Sequence, residues 1–339
     1  MRILITTGIY PPKTSGPAQY AKNMEDLWRK MGHEVIIKTY TTENLLPTGF
    51  RHLWFLVKIL PSVLRSEVIF SLDTFSVGFP SVLIAKILKK KVVIRTGGDF
   101  IWENYIERTG DMVLLKDFYK TRMNRFSFKD KITFSITKWT LSNTNLLVFS
   151  TSWQMNIFLE PYGLNKDKTY IVENHYDRKE KNNYEISIPK NRTFVAGARK
   201  LKLKNNILLQ NVFDKEEIKS TGARLDINNA PFNEFVEKMR DAYAVIQASL
   251  SDISPHMISD AINLDKPFIL TEENGLTDRI KDISIMINPK DENDIKEKIL
   301  WILNEENYKR QVEKIRNFSF VHTWEEIAQE YITIFNRIK

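Results

Sequence analysis

The 339-residue sequence contains no cysteine, which excludes disulfides, thiolate metal sites and a cysteine nucleophile. A chain without cysteine also fits a reducing compartment, so we expect a cytoplasmic location. Long apolar runs are absent too. No stretch of the sequence approaches the roughly 18 consecutive apolar residues that span a bilayer. The opening MRILITTGIYPP indicates a first β-strand and not a secretory signal. The expectation is a soluble protein, or one attached peripherally at the inner face of a membrane.

Acidic residues are in the minority, since 50 Lys and Arg against 42 Asp and Glu give a formal charge of +8. There is no zinc-finger spacing, RNP-type motif or long Arg-rich run, so we expect no nucleic-acid partner. A basic balance also suits phosphorylated ligands or anionic lipid. The five histidines are scattered, and the sequence contains no convincing cluster of metal ligands.

Short apolar runs alternate with helical patterns along both halves of the chain. The runs predict strands at 2–6, 34–40, 67–72, 91–96, 145–151, 193–199, 223–227, 242–248, 267–271 and 283–287. Residues 17–31 have helical spacing, with one apolar face that contains Ala21, Met24, Leu27, Trp28 and Met31. Strands that alternate with helices predict the α/β class, with two Rossmann-like, doubly wound domains facing a cleft.

A polar and charged stretch follows Asp177 and indicates a linker between the domains. The length of the chain also favours two domains over one. We expect a first domain at 1–177 and a second at 178–323, with the terminal helix at 324–339 packing back on the first. In open α/β sheets, ligands bind at the carboxyl ends of the strands. The loops after the strands are therefore where candidate functional residues are expected.

The loop TTGIYPPKTSGPAQY follows the first strand. Gly16 fits the N-cap of the next helix, and Pro17 fits its first position. Free amides and the helix dipole would then favour an anion, although a turn before a capped helix is also ordinary structure. The fingerprint G-x-G-x-x-G is absent, which disfavours a dinucleotide-dependent oxidoreductase.

The loop GARKLKLKN follows the first strand of the second domain and carries Arg199 and Lys204. A guanidinium binds two phosphate oxygens at once, and an ammonium adds a point charge, so the pair suits a diphosphate. A solvated basic turn is the other interpretation of the same residues.

The stretch SLSDISPHMISDAINLDKPF sets Asp252 and Asp260 eight residues apart. Ser254 is predicted to cap a helix whose first residue is Pro255. Both carboxylates then point to one edge, where one can contact a sugar and the other a ribose diol, because carboxylate oxygens accept several hydrogen bonds. The alternative is that Asp260 is a solvated helix residue and Asp252 part of a turn.

These stretches together resemble the retaining GT-B glycosyltransferases of the large family 4 type. YPPKTSGPAQY with GHEVII is similar to the family's PPxxGG loop and next strand, and ARKLKLKN is similar to GRLxxxKG. DISPHMISDA resembles the E-x7-E motif, and KPFILTEENGLTDRI, which contains Gly275, resembles the segment beyond it. The resemblance extends over nearly the whole chain.

Three departures from the family pattern concern the candidate site. Both glutamates of E-x7-E are aspartates here, so each carboxylate is one methylene shorter. The family's Gly-Gly pair is Ser15-Gly16, which leaves less room for the backbone to approach a phosphate. Where the family has a histidine after its fourth strand, this chain reads RTGGDFIWENY, whose ionisable candidates are Asp99 and Glu103.

The resemblance implies a hexosyl transfer with retention of anomeric configuration, without metal or cofactor. The donor would be a UDP- or GDP-linked sugar bound mainly by the second domain, and the first domain would hold a glycan or lipid-linked acceptor. Arg199 and Lys204 would neutralise the leaving diphosphate, and Asp260 would hold the ribose. Asp252 and the amides near His256 would contact the transferred sugar.

Further candidate residues complete the predicted site. The role of the family's histidine is not carried over to this chain, and Asp99, an ionisable residue in the loop where the family has that histidine, is the catalytic candidate of the first domain. The further candidates for substrate binding are Ser15, Gly16, Glu103, Ser254 and Gly275. Because of the shortened carboxylates and the missing histidine, a GT-B-like protein that binds a sugar nucleotide without turnover stays open as an alternative.

Two segments of the first domain mix apolar and basic residues, at 50–65 and at 114–139. Such a mixture suits the surface of an anionic membrane, because rings and stems enter the interface while cations contact the lipid headgroups. The other interpretation is that the apolar positions belong to the core of the first domain.

Overall fold

The computed structural model describes residues 1–13, 16–40, 46–177, 185–197, 201–228 and 230–338. Contacts divide the chain into two compact units. The first consists of Met1–Ile101, Arg122–His175 and His322–Lys339, and the second of Trp102–Thr121 and Tyr176–Val321. Each unit contains one parallel sheet with helices, which confirms the predicted fold class.

The first unit contains a six-stranded parallel sheet in the order β2-β1-β3-β4-β5-β6. Its strands are β1 Arg2–Thr7, β2 Glu34–Thr39, β3 Val68–Ser71, β4 Lys91–Arg95, β5 Leu146–Phe149 and β6 Thr169–Ile171. Five of these were predicted from apolar runs. The edge strand β6 was not, because three residues between charged neighbours are too short to show a pattern.

The second unit contains a five-stranded parallel sheet in the order β11-β10-β9-β7-β8. Its strands are β7 Thr193–Gly197, β8 Arg224–Asn228, β9 Ala244–Gln247, β10 Phe268–Thr271 and β11 Ile285–Ile287. A separate apolar cluster packs on each face, so that the neighbouring residues Phe194 and Val195 enter different clusters. Burial on both faces is typical of parallel sheets and explains why these strands read as continuous apolar runs.

Fifteen α-helices lie within the part of the chain that the structure describes. They are α1 Gly16–Lys30, α2 Thr48–Arg65, α3 Gly78–Ile87, α4 Phe100–Thr109, α5 Leu115–Arg122, α6 Phe128–Asn143, α7 Ser152–Tyr162, α8 Asn206–Phe213, α9 Glu216–Lys219, α10 Phe232–Asp241, α11 His256–Asn263, α12 Thr277–Ile280, α13 Glu292–Leu303, α14 Glu305–Asn317 and α15 Trp324–Asn336. Short 3₁₀ helices lie at Met123–Arg125, Lys166–Lys168 and Lys202–Lys204.

The terminal helix α15 packs against α1 in the core of the first unit. The Trp28 indole donates to the carbonyl of Ala328 at 3.1 Å, and the hydroxyl groups of Tyr20 and Tyr331 are 3.1 Å apart. A capping box, in which Thr323 and Glu326 bond each other's backbone amides, starts α15. Met31, which sequence spacing placed on the apolar face of α1, lies beyond the helix and is exposed.

Residues 102–121 group with the second unit, although the sequence division placed them in the first domain. We call this segment the arm. The arm comprises most of α4 and α5 and buries several apolar side chains, which are Trp102, Tyr105, Ile106, Leu115 and Phe118. No linker-like composition marks either end of the arm, so nothing in the sequence predicts that the arm groups with the second unit.

Each sheet has a switch point, where the strand order changes direction. In the first sheet it lies between β1 and β3, and in the second between β7 and β9. Loops diverge at the carboxyl end of a switch point and leave a crevice in which doubly wound proteins bind their ligands. These two crevices are therefore the places to compare with the predicted site residues.

Candidate functional site

Three loops at the carboxyl edge of the second sheet are joined by backbone hydrogen bonds. The Leu250 amide donates to the carbonyl of Leu203 at 2.9 Å, which connects the loops after β9 and β7. The Asp252 amide donates to the carbonyl of Glu273 at 2.8 Å, and the Gly275 amide donates to that of Asp252 at 3.1 Å. The loop after β10 is therefore held against the loop after β9, and the three loops form one wall beside the switch point.

Lys204 and Asp252 form an ion pair in this wall. The Lys204 Nζ lies 3.0 Å from Asp252 Oδ2, and the two side chains are only 24% and 17% exposed. The Gln247 side-chain amide donates to the same carboxylate oxygen. Two residues predicted from separate motifs are thus adjacent, and Gln247 is a third member that the motifs did not indicate. Arg199 lies outside the described residues.

The arm contacts all three loops of the wall. The Leu203 amide donates to Glu107 Oε1 at 3.3 Å, and the Lys202 ammonium donates to the Glu107 carbonyl at 2.9 Å. The Leu115 amide donates to Ser251 Oγ at 3.0 Å.

An ion pair joins Lys116 of the arm to Glu273 in the loop after β10. Burial raises the pKa of the Glu273 carboxyl, and Lys116 opposes that rise. The pKa of Lys116 is raised by its hydrogen bond to Glu273. Lys116 lies in the segment 114–139, for which the sequence favoured contact with a membrane. In the structure its ammonium forms an ion pair with Glu273 within the second unit.

The helix α11 starts one residue later than predicted. Its first residue is His256, and Pro255 is the N-cap with an extended backbone at φ −71° and ψ 99°. Ser254 therefore precedes the cap, which corrects the prediction of Ser254 as N-cap and Pro255 as first helical residue. An extended Pro255 ends the loop, since the N-cap residue does not take helical dihedrals. His256 is exposed, and Ser254 is partly exposed.

Asp260 lies half-buried in α11, and the pKa of its carboxyl is higher than that of an ordinary aspartate. Burial raises its pKa from 3.8 to about 6, and the negative charge of Asp177 adds to the shift. Asp177 is the last residue described before the linker. A carboxyl that titrates close to neutral pH is ionised at pH 7.5 but carries an energetic cost that a hydrogen-bonding ligand can relieve.

The described first-domain candidates, which are Asp99, Glu103 and Gly16, lie at the starts of α4 and α1. Asp99 is buried, and its Oδ1 accepts the Ile101 amide at 3.1 Å, so it orders the start of α4. Glu103 is partly buried in the first turn of α4 and groups with the arm. Gly16 is the first residue of α1 and not its N-cap, a shift of one residue. Ser15 lies outside the described residues.

A cavity of about 330 Å³ opens at the switch point of the first sheet, and no motif predicted it. Its lining includes Gly8 after β1, Tyr40 after β2, and Asp73 after β3. Asp73 Oδ1 accepts the amides of Phe75 at 2.6 Å and Val77 at 3.3 Å. Burial raises the pKa of the Asp73 carboxyl, while these amides act against the rise. The cavity combines a carboxylate with aromatic walls.

The structure divides the residues of α2 between core and surface. Phe55, Ile59 and Val63 are fully buried, as the core interpretation of 50–65 required. Five other apolar side chains are more than half exposed, which are Phe50, Leu53, Trp54, Val57 and Leu64. Within the described ranges, no helix is both long and apolar enough to cross a membrane. No group of three or more His, Asp or Glu that could hold a metal ion occurs in those ranges either.

Comparison with known proteins supports the fold only. No family model and no curated protein matches the sequence. Among solved structures, sucrose-phosphate synthase from Thermosynechococcus elongatus matches with a TM-score of 0.71 and 10% identity, covering 100% of this chain and 99% of that chain.

Two further solved structures match over nearly their whole length. The Anabaena protein HepE, solved with UDP, matches with a TM-score of 0.63 and 12% identity over 100% of this chain and 98% of that one. WaaG, a glycosyltransferase involved in lipopolysaccharide biosynthesis, matches with a TM-score of 0.66 and 10% identity over 98% and 99%. The chain therefore has the fold of the GT-B glycosyltransferases.

Proposed function

We propose that this protein is a retaining glycosyltransferase that moves a hexosyl group from a UDP- or GDP-linked sugar to a glycan or lipid-linked acceptor. The observation that carries the proposal is the Lys204–Asp252 ion pair, 3.0 Å apart at the switch point of the second sheet. It joins the family-like phosphate motif to the family-like carboxylate motif. The fold is shared with a protein solved with UDP, which supports a nucleotide ligand.

In the proposed reaction, Lys204 and Arg199 neutralise the diphosphate as the bond to the sugar breaks. Fixed cations that face developing negative charge lower the barrier without any proton transfer. Asp252 holds the Lys204 ammonium in place before the donor binds, and Gln247 donates to the same Asp252 carboxylate oxygen. Because the chain's own cations meet the charge of the diphosphate, we propose that no metal or other cofactor is required.

Asp260 is proposed to bind the ribose of the donor. Its pKa of about 6 leaves it ionised at pH 7.5, where both oxygens can accept hydrogen bonds from the ribose diol. The amides that begin α11 at His256, with Ser254 and Gly275 in the adjoining loops, are proposed to contact the sugar and phosphates. Gly16 and Ser15 of the first-domain loop are also proposed to bind substrate.

Asp99 is proposed as the catalytic carboxylate of the first unit, with Glu103 binding substrate from the arm. The hydrogen bond from the Ile101 amide fixes the orientation of the Asp99 carboxylate. A fixed carboxylate suits an acceptor hydroxyl, which must lose its proton as it attacks. Replacing Asp99 by Asn should lower turnover and leave nucleotide affinity unchanged.

A binder without turnover is the second candidate, favoured by the two shortened carboxylates at Asp252 and Asp260. Such a binder should bind nucleotides in the same way as the proposed glycosyltransferase. The two candidates differ only in that the binder releases no diphosphate. Incubation with a panel of nucleotide sugars and detection of free nucleoside diphosphate separates the two candidates.

Titration calorimetry tests the donor site, with UDP, GDP, ADP and their sugars as ligands. The wild type should bind one nucleotide family, and Lys204→Ala should weaken that binding by tenfold or more. Lys215→Ala is the matched control, because Lys215 pairs with Glu292 at 2.8 Å in the same unit and is 28% exposed, against 24% for Lys204. Equal affinities of wild type and Lys204→Ala would contradict the assignment.

A further inference from the structure

The helix α2 carries a continuous apolar stripe on its exposed side. The exposed fractions are 67% for Phe50, 61% for Leu53, 55% for Trp54, 60% for Val57 and 56% for Leu64. With these five residues and the exposed Pro61, the spacing is i, i+3, i+4, i+7, i+11 and i+14, which at about 100° per residue fills an arc of about 100°. Scattered exposed apolar side chains are normal, but a stripe along a whole helix indicates a contact surface.

Cations line one border of the stripe. Arg51, Lys58 and Arg65 recur at seven-residue spacing, and α2 contains no Asp or Glu. At the end of the helix, the Lys90 ammonium donates to the carbonyls of Leu64 at 3.0 Å and Ser66 at 2.9 Å, which adds a further cation. An apolar stripe with an exclusively basic border is complementary to a bilayer that contains anionic lipid.

The first turn of α2 also lines the cavity of the first unit. Arg51 and His52 belong to the lining, and their neighbours Phe50 and Leu53 belong to the stripe. The His52 Nδ1 donates to the Ser76 carbonyl at 3.3 Å, and burial lowers the pKa of His52, so its Nε2 is available as an acceptor at neutral pH. One helix therefore connects an apolar surface with a polar cavity.

The cavity has the lining of a site for a hydroxylated ring. The ring of Phe75 packs on that of His52 with centroids 5.0 Å apart, and Tyr40 lies 6.2 Å away on the same imidazole. The volume of about 330 Å³ is at the small end of the range for ligand sites. Asp73 and His52 supply acceptors, and Arg51 supplies donors, beside aromatic faces.

We infer that α2 docks on an anionic bilayer through its stripe and that the cavity receives the sugar or polyol head of a lipid-linked acceptor. The acceptor part of this inference rests on the proposed glycosyl transfer, whereas the docking part does not. The Trp54 ring, in the middle of the stripe, lies at the level of the lipid headgroups. Because His52 lies on the side of α2 away from the stripe, docking holds the cavity about one helix diameter, roughly 10 Å, above the stripe, within reach of a lipid head that extends from the bilayer.

A second copy of this chain fits the stripe less well than a bilayer does. A symmetric pairing of two α2 helices would bring the cationic borders of both copies to one interface, without an acidic residue on either helix. Lipid phosphates supply the missing negative charge. The stripe also contains an aromatic ring with a polar tip, which suits the boundary between headgroups and chains.

Vesicle co-sedimentation tests the docking, with vesicles of phosphatidylcholine alone and of equal amounts of phosphatidylcholine and phosphatidylglycerol. The wild type should bind the anionic vesicles and lose most of that binding at high salt. Leu53→Gln combined with Val57→Gln should lower the bound fraction at least tenfold, and Arg65→Glu should lower it about tenfold. Ile207→Gln is the matched control, because Ile207 is 79% exposed in the second unit, and it should bind as the wild type does.

Trp54 provides a spectroscopic measurement at the stripe itself. Anionic vesicles should shift the tryptophan emission of the wild type to shorter wavelength. Trp54→Phe should still sediment with vesicles while losing most of the shift, because Phe keeps the apolar contact and removes the reporter. A shift of equal size in Trp54→Phe would show that the stripe does not enter the lipid. Concentration-dependent dimerisation abolished by Leu53→Gln with Val57→Gln, without vesicle binding, would overturn the inference in favour of a second copy.

The cavity is tested by filling it. A Cβ on Gly8 meets no atom within 4 Å, so Gly8→Leu adds a side chain without a clash at its Cβ. Gly8→Leu should dock on vesicles as the wild type does. It should lose transfer of labelled sugar, from the nucleotide sugar chosen by calorimetry, into vesicles made with a total lipid extract of cells that produce this protein. Undiminished transfer would refute the cavity assignment. Release of diphosphate without vesicle binding would refute the docking and leave the proposed glycosyl transfer intact.

Discussion

Replacing Asp260 by Asn should make the protein more stable at alkaline pH. Burial and the charge of Asp177 raise the pKa of Asp260 from 3.8 to about 6. Because the folded pKa lies above the unfolded one, the folded state binds the proton more tightly than the unfolded state. The contribution of Asp260 to the free energy of unfolding therefore falls as the pH rises from about 4 to about 6, and it is fully unfavourable above that. Asn has nearly the same shape and carries no charge to desolvate.

The size of the effect follows from the shift in pKa. About two pKa units correspond to about 3 kcal/mol at pH 8, and the same linkage gives about half of that at pH 5. Asp260→Asn should thus exceed the wild type in unfolding free energy by about 3 kcal/mol at pH 8, with a smaller gain at pH 5. The gain is an upper bound if the helix relaxes around the charged wild-type side chain.

Urea denaturation followed by circular dichroism at both pH values measures the difference. Asp282→Asn serves as the control, because Asp282 is an exposed aspartate of the same unit, and it should change stability by less than about 0.5 kcal/mol. A variant Asp260→Asn that is less stable than the wild type at pH 8 would show that the carboxylate forms a favourable contact, and the argument from burial would fail.

Three further predictions concern the donor site and the arm. Arg199→Ala should weaken binding of the preferred nucleoside diphosphate by about tenfold or more in calorimetry, as Lys204→Ala should, because each variant removes one charge-assisted contact. If the affinity for the nucleoside alone fell by as much, the phosphate assignment of Arg199 would be wrong. Asp260→Ala should weaken nucleoside binding while Asp260→Glu retains it, and equal losses in the two variants would indicate a packing role. Lys116→Met should lower the unfolding free energy by about 2 kcal/mol, because it leaves the buried Glu273 without its cation. Adding Glu273→Gln to this variant should restore most of the lost stability. A double variant no more stable than Lys116→Met would exclude the ion pair as the cause.

The strands were predictable because burial on both faces of a parallel sheet leaves continuous apolar runs in the sequence. Ten of the eleven strands in the described chain correspond to such runs, and only the three-residue edge strand β6 did not produce one. The Ser254 prediction was one residue early because a Ser-Pro pair before a helix allows either residue as the cap. Whether Pro255 is extended depends on the loop after β9, which local sequence does not determine.

The candidate site was only partly predictable. The sequence predicted that Lys204 and Asp252 both lie in loops after strands of the second domain, but it did not predict that β7 and β9 are neighbours, which is what brings the two side chains together. The ion pair of Lys116 with Glu273 and the electrostatic repulsion between Asp177 and Asp260 each involve segments far apart in sequence that share no motif. The cavity was missed for the same reason, because three separate loops and α2 contribute to its lining.

Proton NMR of the first turnovers distinguishes a retaining transfer from a nucleotide sugar from every other outcome. The wild type is incubated with the nucleotide sugar that calorimetry selects and with the lipid extract, or with water as the only acceptor. We expect release of nucleoside diphosphate together with a product whose anomeric signal has the configuration of the donor. Release of the opposite anomer would contradict the retaining assignment, and no release of diphosphate from any bound nucleotide sugar would contradict the transferase itself.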